Sequence, residues 1–268
     1  MPTYAPNLTA ILDREPVPAS GIESGDVAYE ADGVAYSGYL ARPAGEGRYP
    51  GVMVVHDWLG VTDYVRMRCD MLARLGYVAF AADVFGADVR PSPEEAAAVA
   101  GGFYQDRPLW RKRLVEAFAH LRGEPSVDPA RTAAIGYCFG GSSVLELART
   151  GADVDAVVSF HGGLLTGPEG EAARITAKVL VLHGAADPVA PDDAMLAFED
   201  DLRTAPAVDW QLVSYANAMH AFTLPDADAP EQGAQFQATA ERRSWAAMKA
   251  FLTEVFDSAP AGTGALRG

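Results

Sequence analysis

A cysteine flanked by glycines occupies a position suited to a nucleophile. The segment Gly136-Tyr137-Cys138-Phe139-Gly140-Gly141 lies between a short apolar run and a stretch with helical periodicity. Glycines let the chain turn sharply there, because they have no Cβ atom to clash. The segment follows the nucleophile-elbow pattern G-x-S-x-G, with cysteine in place of serine. Such a turn would present the Cys138 sulfur at a helix N-terminus, where peptide dipoles favour a thiolate.

An acid and a histidine follow two later apolar runs. Asp187 comes shortly after the run at 178–182, and His220 follows the run at 210–215. A cysteine needs a base to become a strong nucleophile at neutral pH, and the base needs an orienting partner. The chain order of nucleophile, acid and histidine is that of triads built at strand ends. We therefore predict that Cys138, His220 and Asp187 form a catalytic triad.

Alternating strands and helices are predicted around these residues. From residue 27, two runs of period two flank Asp32-Gly33, a pair typical of a tight hairpin turn. Short apolar runs indicate strands buried on both faces at 51–56, 77–82, 132–137, 156–160, 178–182 and 210–215. Helical periodicity fills most of the intervals, and 235–256 reads as a long closing helix. We expect an α/β fold: an N-terminal antiparallel hairpin, then a mostly parallel sheet with helices on both faces.

The chain divides into three predicted parts. Residues 1–25 contain four prolines and no steady period, which indicates an irregular arm. Residues 26–256 form a single α/β domain, since no linker or repeat interrupts them. Residues 257–268 are small, polar and rich in Gly and Pro, as in a flexible tail.

Composition and charge exclude several classes of function. The net charge of −15 over 268 residues disfavours nucleic acid and anionic membranes as partners. No window is apolar enough for a membrane span, and the N-terminus lacks secretory signal features. We therefore expect a cytoplasmic protein, where a free thiol stays reduced. No nucleotide-binding motif or metal-ligand spacing is present, so we expect neither cofactor nor metal.

Other side chains receive less reactive roles. Cys69 lies on the apolar face of a predicted helix and is assigned to the core. The segments 85–105 and 221–235 are expected to form the walls of the cleft. The expected pocket residues near strand ends or in these segments are Phe85, Tyr137, His161 and Phe222, with Trp58 as a further apolar side chain. For His161 a buried structural role is the alternative.

The sequence resembles the dienelactone hydrolase family of the α/β-hydrolases from about residue 26 to 256. The landmarks are GVMVVHDWLG, IGYCFGG, VVSFHGG, VLVLHGAADPVAP and WQLVSYANAMHAF. The resemblance implies an oxyanion hole made by the backbone N–H groups of Phe139 and Trp58. It places Asp57 where well-known members carry a glutamate near the nucleophile, and so among the expected pocket residues. A helix-capping or loop aspartate is the alternative. The short interval between the runs at 156–160 and 178–182 leaves no room for a cap domain.

Two positions depart from the family's pattern. Dienelactone hydrolases proper bind the substrate carboxylate with two arginines, and the matching positions here are Ala87 and Leu224, with Arg90 close to the first. Without an arginine fork for a carboxylate, we expect a neutral ester or lactone, cleaved through a thioester. A general carboxylesterase or acyl-thioesterase, a non-catalytic binding protein and a redox-sensing cysteine remain alternatives. The oligomeric state stays open between monomer and homodimer.

Overall fold

The chain forms ten strands and seven α-helices over residues 2–258, the part that the computed structural model describes. In chain order the strands are β1 (Ile22–Ala31), β2 (Val34–Pro43), β3 (Tyr49–Val55), β4 (Val78–Ala82), β5 (Val127–Tyr137), β6 (Ala156–Phe160), β7 (Lys178–Gly184), β8 (Trp210–Tyr215), β9 (Asp228–Ala229) and β10 (Ala234–Gln235). The helices are α1 (Pro6–Leu12), α2 (Asp63–Arg74), α3 (Pro93–Gln105), α4 (Arg107–Gly123), α5 (Phe139–Arg149), α6 (Asp192–Arg203) and α7 (Ala238–Ser258).

One sheet holds eight of these strands in the order β1-β2-β4-β3-β5-β6-β7-β8. The pairs β1–β2 and β2–β4 are antiparallel, and the remaining neighbours are parallel. Asp32 and Gly33 turn the chain between β1 and β2 with φ angles of 49° and 73°, as a tight hairpin requires. The predicted hairpin and mostly parallel sheet are confirmed. β1 starts earlier than predicted, because its first residues pair with the end of β2.

Helices cover both faces of the sheet, as predicted. One apolar cluster joins the sheet to α1, α2 and α7, and includes Leu72 and Leu252. A second cluster joins the other face to α3, α4, α5 and α6, and includes Trp110 and Phe198. The central strands between the two layers are buried on both sides, which explains their continuous apolar runs.

The interval between β6 and β7 contains no cap domain. Residues 161–177 carry one short 3₁₀ helix, Glu171–Arg174, and otherwise form loop. Nothing inserted at this point therefore covers the carboxyl ends of the strands, in agreement with the expectation from the sequence.

The N-terminal segment is not the irregular arm that its prolines predict. Pro6 begins α1, because a proline at the first helical position sacrifices no hydrogen bond. The segment is fastened to the domain by Tyr4, whose hydroxyl donates to Asp70 at 2.8 Å, and by Glu15, whose Oε1 accepts from Trp245 Nε1 and Lys249 Nζ, both at 2.7 Å. At the other end α7 continues to Ser258, and the remainder of the predicted tail, 259–268, lies outside the described residues.

Candidate active site

The turn at the end of β5 is strained as a nucleophile elbow requires. Cys138 has φ 55° and ψ −115°, a conformation that non-glycine residues rarely adopt. A Cβ atom at Gly136 would clash with the carbonyl of Gly140, and one at Gly140 would clash with the carbonyls of Val55 and His56. The glycines are therefore required for close backbone contact. The turn leaves the Cys138 side chain half-buried at the N-terminus of α5.

The three predicted triad residues meet at one edge of the sheet. His220 Nε2 lies 3.1 Å from Cys138 Sγ, and His220 Nδ1 lies 2.9 Å from Asp187 Oδ2. The other carboxylate oxygen of Asp187 accepts the Val189 N–H at 2.8 Å, which fixes the acid. His220 is itself pinned by its backbone, since its N–H donates to Gly233 O at 2.9 Å. These side chains come from three separate strand ends, so the fold alone brings them together.

The proton on His220 is strongly held. Burial opposes a charge on this ring, but the neighbouring Cys138 sulfur and the Asp187 carboxylate outweigh burial and raise the pKa of His220 to about 10. His220 therefore holds a proton firmly once the Cys138 sulfur carries a negative charge. A cationic imidazole in contact with a sulfur atom is the setting in which a thiolate is stabilised.

Two backbone amides lie beside the elbow. Phe139 is the first residue of α5, so its N–H has no carbonyl partner within the helix. Trp58 lies in the loop after β3, and the close contact of Gly140 with the end of β3 brings this loop to the start of α5. Within residues 2–258 neither amide donates a hydrogen bond to another backbone group. The Phe139 and Trp58 N–H groups therefore remain the candidate oxyanion-hole donors that the family resemblance implies.

Asp57 is a buried carboxyl group next to this loop. Its Oδ1 accepts the Leu59 N–H at 2.8 Å, so the side chain shapes the turn that carries Trp58. Burial raises the pKa of Asp57 to about 6, although the Leu59 hydrogen bond and the charge of His220 hold it down. Burial therefore makes the Asp57 carboxyl group easier to protonate than an exposed aspartate.

The other predicted pocket residues occupy different surroundings. Tyr137 and Phe222 lie wholly within the apolar cluster beneath the sheet edge, and His161 is equally buried behind the elbow. Phe85 packs against Phe139, with ring centroids 5.3 Å apart. All five candidates, Asp57 included, therefore present almost no surface to a ligand in this conformation. Their apolar character placed them near the site but did not distinguish core from cleft.

Two exposed aromatic rings are better placed as walls. Trp58 is 39% exposed and Tyr104 is 38% exposed, large values for such side chains. The Tyr104 hydroxyl donates to Ser142 Oγ at 3.2 Å, close to the start of α5. Burial of that hydroxyl raises the pKa of Tyr104 to about 12, so it remains a hydrogen-bond donor. Tyr104 lies in the predicted wall at 85–105, but nothing in its local sequence singled it out.

The nearby arginines are committed to other partners. Arg90 donates to Gly86 O at 2.8 Å and to Asp83 Oδ2 at 3.2 Å. Arg113 donates to Val84 O and Phe85 O, both at 2.7 Å. The positions where the family carries arginines hold Ala87 and the partly buried Leu224. The chain therefore carries no guanidinium at these two positions.

No group of three or more His, Cys, Asp or Glu side chains within residues 2–258 is arranged to hold a metal ion. In the same range, no helix has both the length and the apolar character needed to cross a membrane.

Comparisons with known proteins agree with this geometry. Residues 36–256 match the sequence model of the dienelactone hydrolase family. The solved structure of P91, described as a dienelactone hydrolase-like promiscuous phosphotriesterase from metagenomic libraries, is 40% identical, with a TM-score of 0.84 over 88% of this chain and 99% of that chain. A candidate carboxymethylenebutenolidase of Azospirillum brasilense is 32% identical over 161 residues, 57% of this chain and 67% of the relative.

A lactonase relative extends the set. A candidate 2-oxo-3-(5-oxofuran-2-ylidene)propanoate lactonase of Bradyrhizobium is 31% identical over 195 residues, 69% of this chain and 77% of the relative. The family match covers the strand ends from which Cys138, Asp187 and His220 come. The chain therefore belongs to the dienelactone hydrolase family and is a carboxylic ester hydrolase with the α/β-hydrolase fold.

Proposed function

We propose that this enzyme hydrolyses a neutral ester or lactone with Cys138 as its nucleophile. The observation that carries the proposal is the line of contacts from Cys138 Sγ to His220 at 3.1 Å and from His220 to Asp187 at 2.9 Å. His220 serves as the proton acceptor for the thiol, and Asp187 holds the imidazole in the productive orientation.

The reaction proceeds in two halves. The Cys138 proton passes to His220, and the sulfur attacks the carbonyl carbon to form a C–S bond. The carbonyl oxygen, now negative, accepts from the Phe139 and Trp58 N–H groups, which are preorganised by the Gly140 contact. The C–O bond to the leaving alcohol breaks, and His220 returns the proton to that oxygen. Water, deprotonated by His220, then cleaves the thioester and releases the acid.

The hydrogen bonds that the nearby arginines already make bear on the charge of the substrate. A carboxylate on the substrate would need a bidentate cation, and Arg90 and Arg113 already donate to protein oxygens. The exposed side chains of Trp58 and Tyr104 offer apolar area instead. These features favour a neutral ester or lactone over an anionic lactone.

A neutral phosphotriester is a second candidate substrate. The P91 relative carries the description of a promiscuous phosphotriesterase at 40% identity. A phosphoryl oxygen on a neutral triester could occupy the same pair of N–H donors as a carbonyl oxygen. Because Arg90 and Arg113 already donate to protein oxygens, a neutral triester is favoured over an anionic substrate, as a neutral ester is.

The test is kcat/KM for a neutral aryl ester, a neutral lactone, an anionic lactone, an acyl thioester and an aryl phosphotriester, each with wild type and Cys138→Ala. We expect turnover of the neutral compounds that the substitution abolishes. The acyl thioester distinguishes a thioesterase from an esterase. Unchanged hydrolysis by Cys138→Ala would remove Cys138 from the mechanism, and no turnover with intact thiol reactivity would favour a binding protein.

A further inference from the structure

A buried histidine stands directly behind the nucleophile. The Cys138 N–H donates to Phe160 O at 3.0 Å and also faces His161 Nδ1 at 3.2 Å. His161 itself has φ 40°, so two adjacent strand ends each place a non-glycine residue in the left-handed region. Strained backbone of this kind costs about 1–3 kcal/mol per residue and persists only where surrounding contacts hold it.

The partners of His161 determine its protonation. Because Nδ1 receives an N–H group, it must be bare, and the proton of the neutral ring lies on Nε2. Nε2 lies 2.6 Å from Thr223 Oγ1, and the Tyr64 hydroxyl donates to the same oxygen at 2.8 Å. A hydroxyl oxygen has two lone pairs, so Thr223 accepts both donors.

This network joins the two reacting segments. Thr223 lies three residues after His220, on the loop that carries the base, while Cys138 lies on the elbow. A route of three hydrogen-bonding groups, Cys138 N–H, His161 and Thr223, therefore runs parallel to the contact between Cys138 Sγ and His220 Nε2. All of its side chains are buried, and Tyr64 on α2 braces it from behind.

The charge of His161 matters because His220 is close. The two ring centroids are 5.3 Å apart in an edge-to-face arrangement. Burial, and then the charge of His220, lower the pKa of His161 well below its usual value. A neutral His161 leaves the site with one imidazolium, the one that contacts the sulfur.

We propose that His161 is a positioning residue: as a neutral acceptor it holds the Cys138 amide and ties the elbow, through Thr223, to the segment that carries His220. The inference rests on the proposed function, since it concerns the same sulfur and base. It reassigns His161 from a pocket wall to a support behind the nucleophile.

Two isosteric substitutions separate the two hydrogen bonds of the ring. His161→Asn places an amide oxygen near the position of Nδ1 and tolerates the left-handed backbone. His161→Gln is similar in polarity, but its longer amide reaches the position of Nε2 and leaves the Cys138 N–H with one acceptor fewer. We expect kcat of His161→Gln to fall by about tenfold to a hundredfold, because misplacement of a reacting group by about 1 Å has effects of that size.

The matched readouts are kcat, KM and the rate of Cys138 alkylation by iodoacetamide, all in a Cys69→Ser background. We expect KM of His161→Gln to stay within about threefold, since substrate binding is not disturbed. His161→Asn should recover part of the lost kcat and alkylation rate, because it restores the acceptor for the Cys138 N–H but not the bond to Thr223. Equal values for wild type, His161→Asn and His161→Gln would overturn the inference, as would equal losses in both variants.

A second variant keeps the test decisive if His161→Gln does not fold. Thr223→Val preserves shape and removes the oxygen that fixes the ring. A lower kcat with unchanged KM supports the inference, and an unchanged kcat overturns it. Wild type and Cys138→Ala are measured alongside. Equal turnover by wild type and Cys138→Ala would refute the proposed function. If Cys138→Ala is inactive but the His161 and Thr223 variants turn over as fast as wild type, only the positioning role is refuted.

Discussion

Arg90 is paired with Asp83: its Nη2 donates to Oδ2 of that carboxylate at 3.2 Å. Asp83 is buried, and its other oxygen accepts from the Phe85 and Gly86 N–H groups at 3.1 Å and 3.0 Å. Freeing Arg90 for a substrate would leave a buried carboxylate without its cation, which is strongly unfavourable. The nearest arginine to the family's first clamp position is therefore structural.

Restoring a cation should change the preferred substrate. Leu224→Arg places a guanidinium at the family's second clamp position, on a partly exposed residue. We expect kcat/KM for an anionic lactone, relative to a neutral one, to rise about tenfold, since 1.4 kcal/mol corresponds to a factor of ten. Leu224→Gln is the matched control, because it loses the same packing without adding charge. Identical ratios in the two variants would mean that position 224 does not face the substrate.

Removing the nucleophile should abolish turnover. We expect Cys138→Ala to lower kcat/KM for a neutral aryl ester at least about a thousandfold, as the C–S bond can no longer form. The control variant is Cys69→Ser, because Cys69 is also a free cysteine but is buried on α2. Thiol titration with an aromatic disulfide should show one fast site in wild type and in Cys69→Ser, and none in Cys138→Ala. A fast site that survives in Cys138→Ala would contradict the assignment.

The buried Asp57 predicts opposite effects on activity and stability. Its pKa is raised to about 6 from a usual value near 3.8, so the folded protein keeps a proton that the unfolded chain has lost as pH rises through this window. The native state is thus destabilised above pH 6, by up to about 3 kcal/mol. Asp57→Asn keeps the acceptor for Leu59 and should raise the urea midpoint at pH 7.5 more than at pH 4.5.

Asp57→Asn should also remove the rise in the Cys138 alkylation rate that we expect near pH 6. Ionised Asp57 favours the charge on His220, so we expect Cys138 alkylation in wild type to accelerate as pH rises through about 6. In Asp57→Asn this inflection should vanish. A pH profile that keeps its inflection near 6 in the variant would assign that titration to another group.

The N-terminal segment should contribute stability without affecting chemistry. Glu15→Ala leaves the buried Trp245 indole N–H and the Lys249 ammonium without their shared acceptor. A hydrogen bond to a charged group contributes about 1.5–3 kcal/mol, so the free energy of unfolding should fall by about that amount while kcat is unchanged. Glu46→Ala, at an exposed loop position, serves as the control. Equal stability of the two variants would mean that Glu15 is not an anchor.

The sequence predicted what local patterns can encode. The glycines around Cys138, the short apolar runs and the acid and histidine after two of them were enough to predict the parallel sheet and the proximity of Cys138, Asp187 and His220. These signals work because strand ends meet at one edge of such a sheet, so chain order becomes proximity.

Features that depend on tertiary packing were missed. α1 has Leu8, Ile11 and Leu12 at helical spacing, but the surrounding prolines obscured this short pattern. Tyr137 was expected in the cleft, yet its ring stacks on Phe160 beneath the sheet edge, with centroids 4.6 Å apart. The partnership of Thr223 with His161 joins residues 62 positions apart, and no local pattern announces it.

The absence of a cap domain between β6 and β7, at residues 161–177, affects which compounds can accept the acyl group. A cap would select the second nucleophile by shape, whereas an open strand edge admits any small hydroxyl compound along with water. Dilute methanol should then divert the proposed thioester toward a methyl ester, and the ratio of ester to acid should rise linearly with methanol concentration. A ratio that saturates at low methanol would instead reveal a discrete alcohol site. A linear rise would mean that the enzyme is an acyl-transfer catalyst and that the composition of the solvent determines which acceptor takes the acyl group.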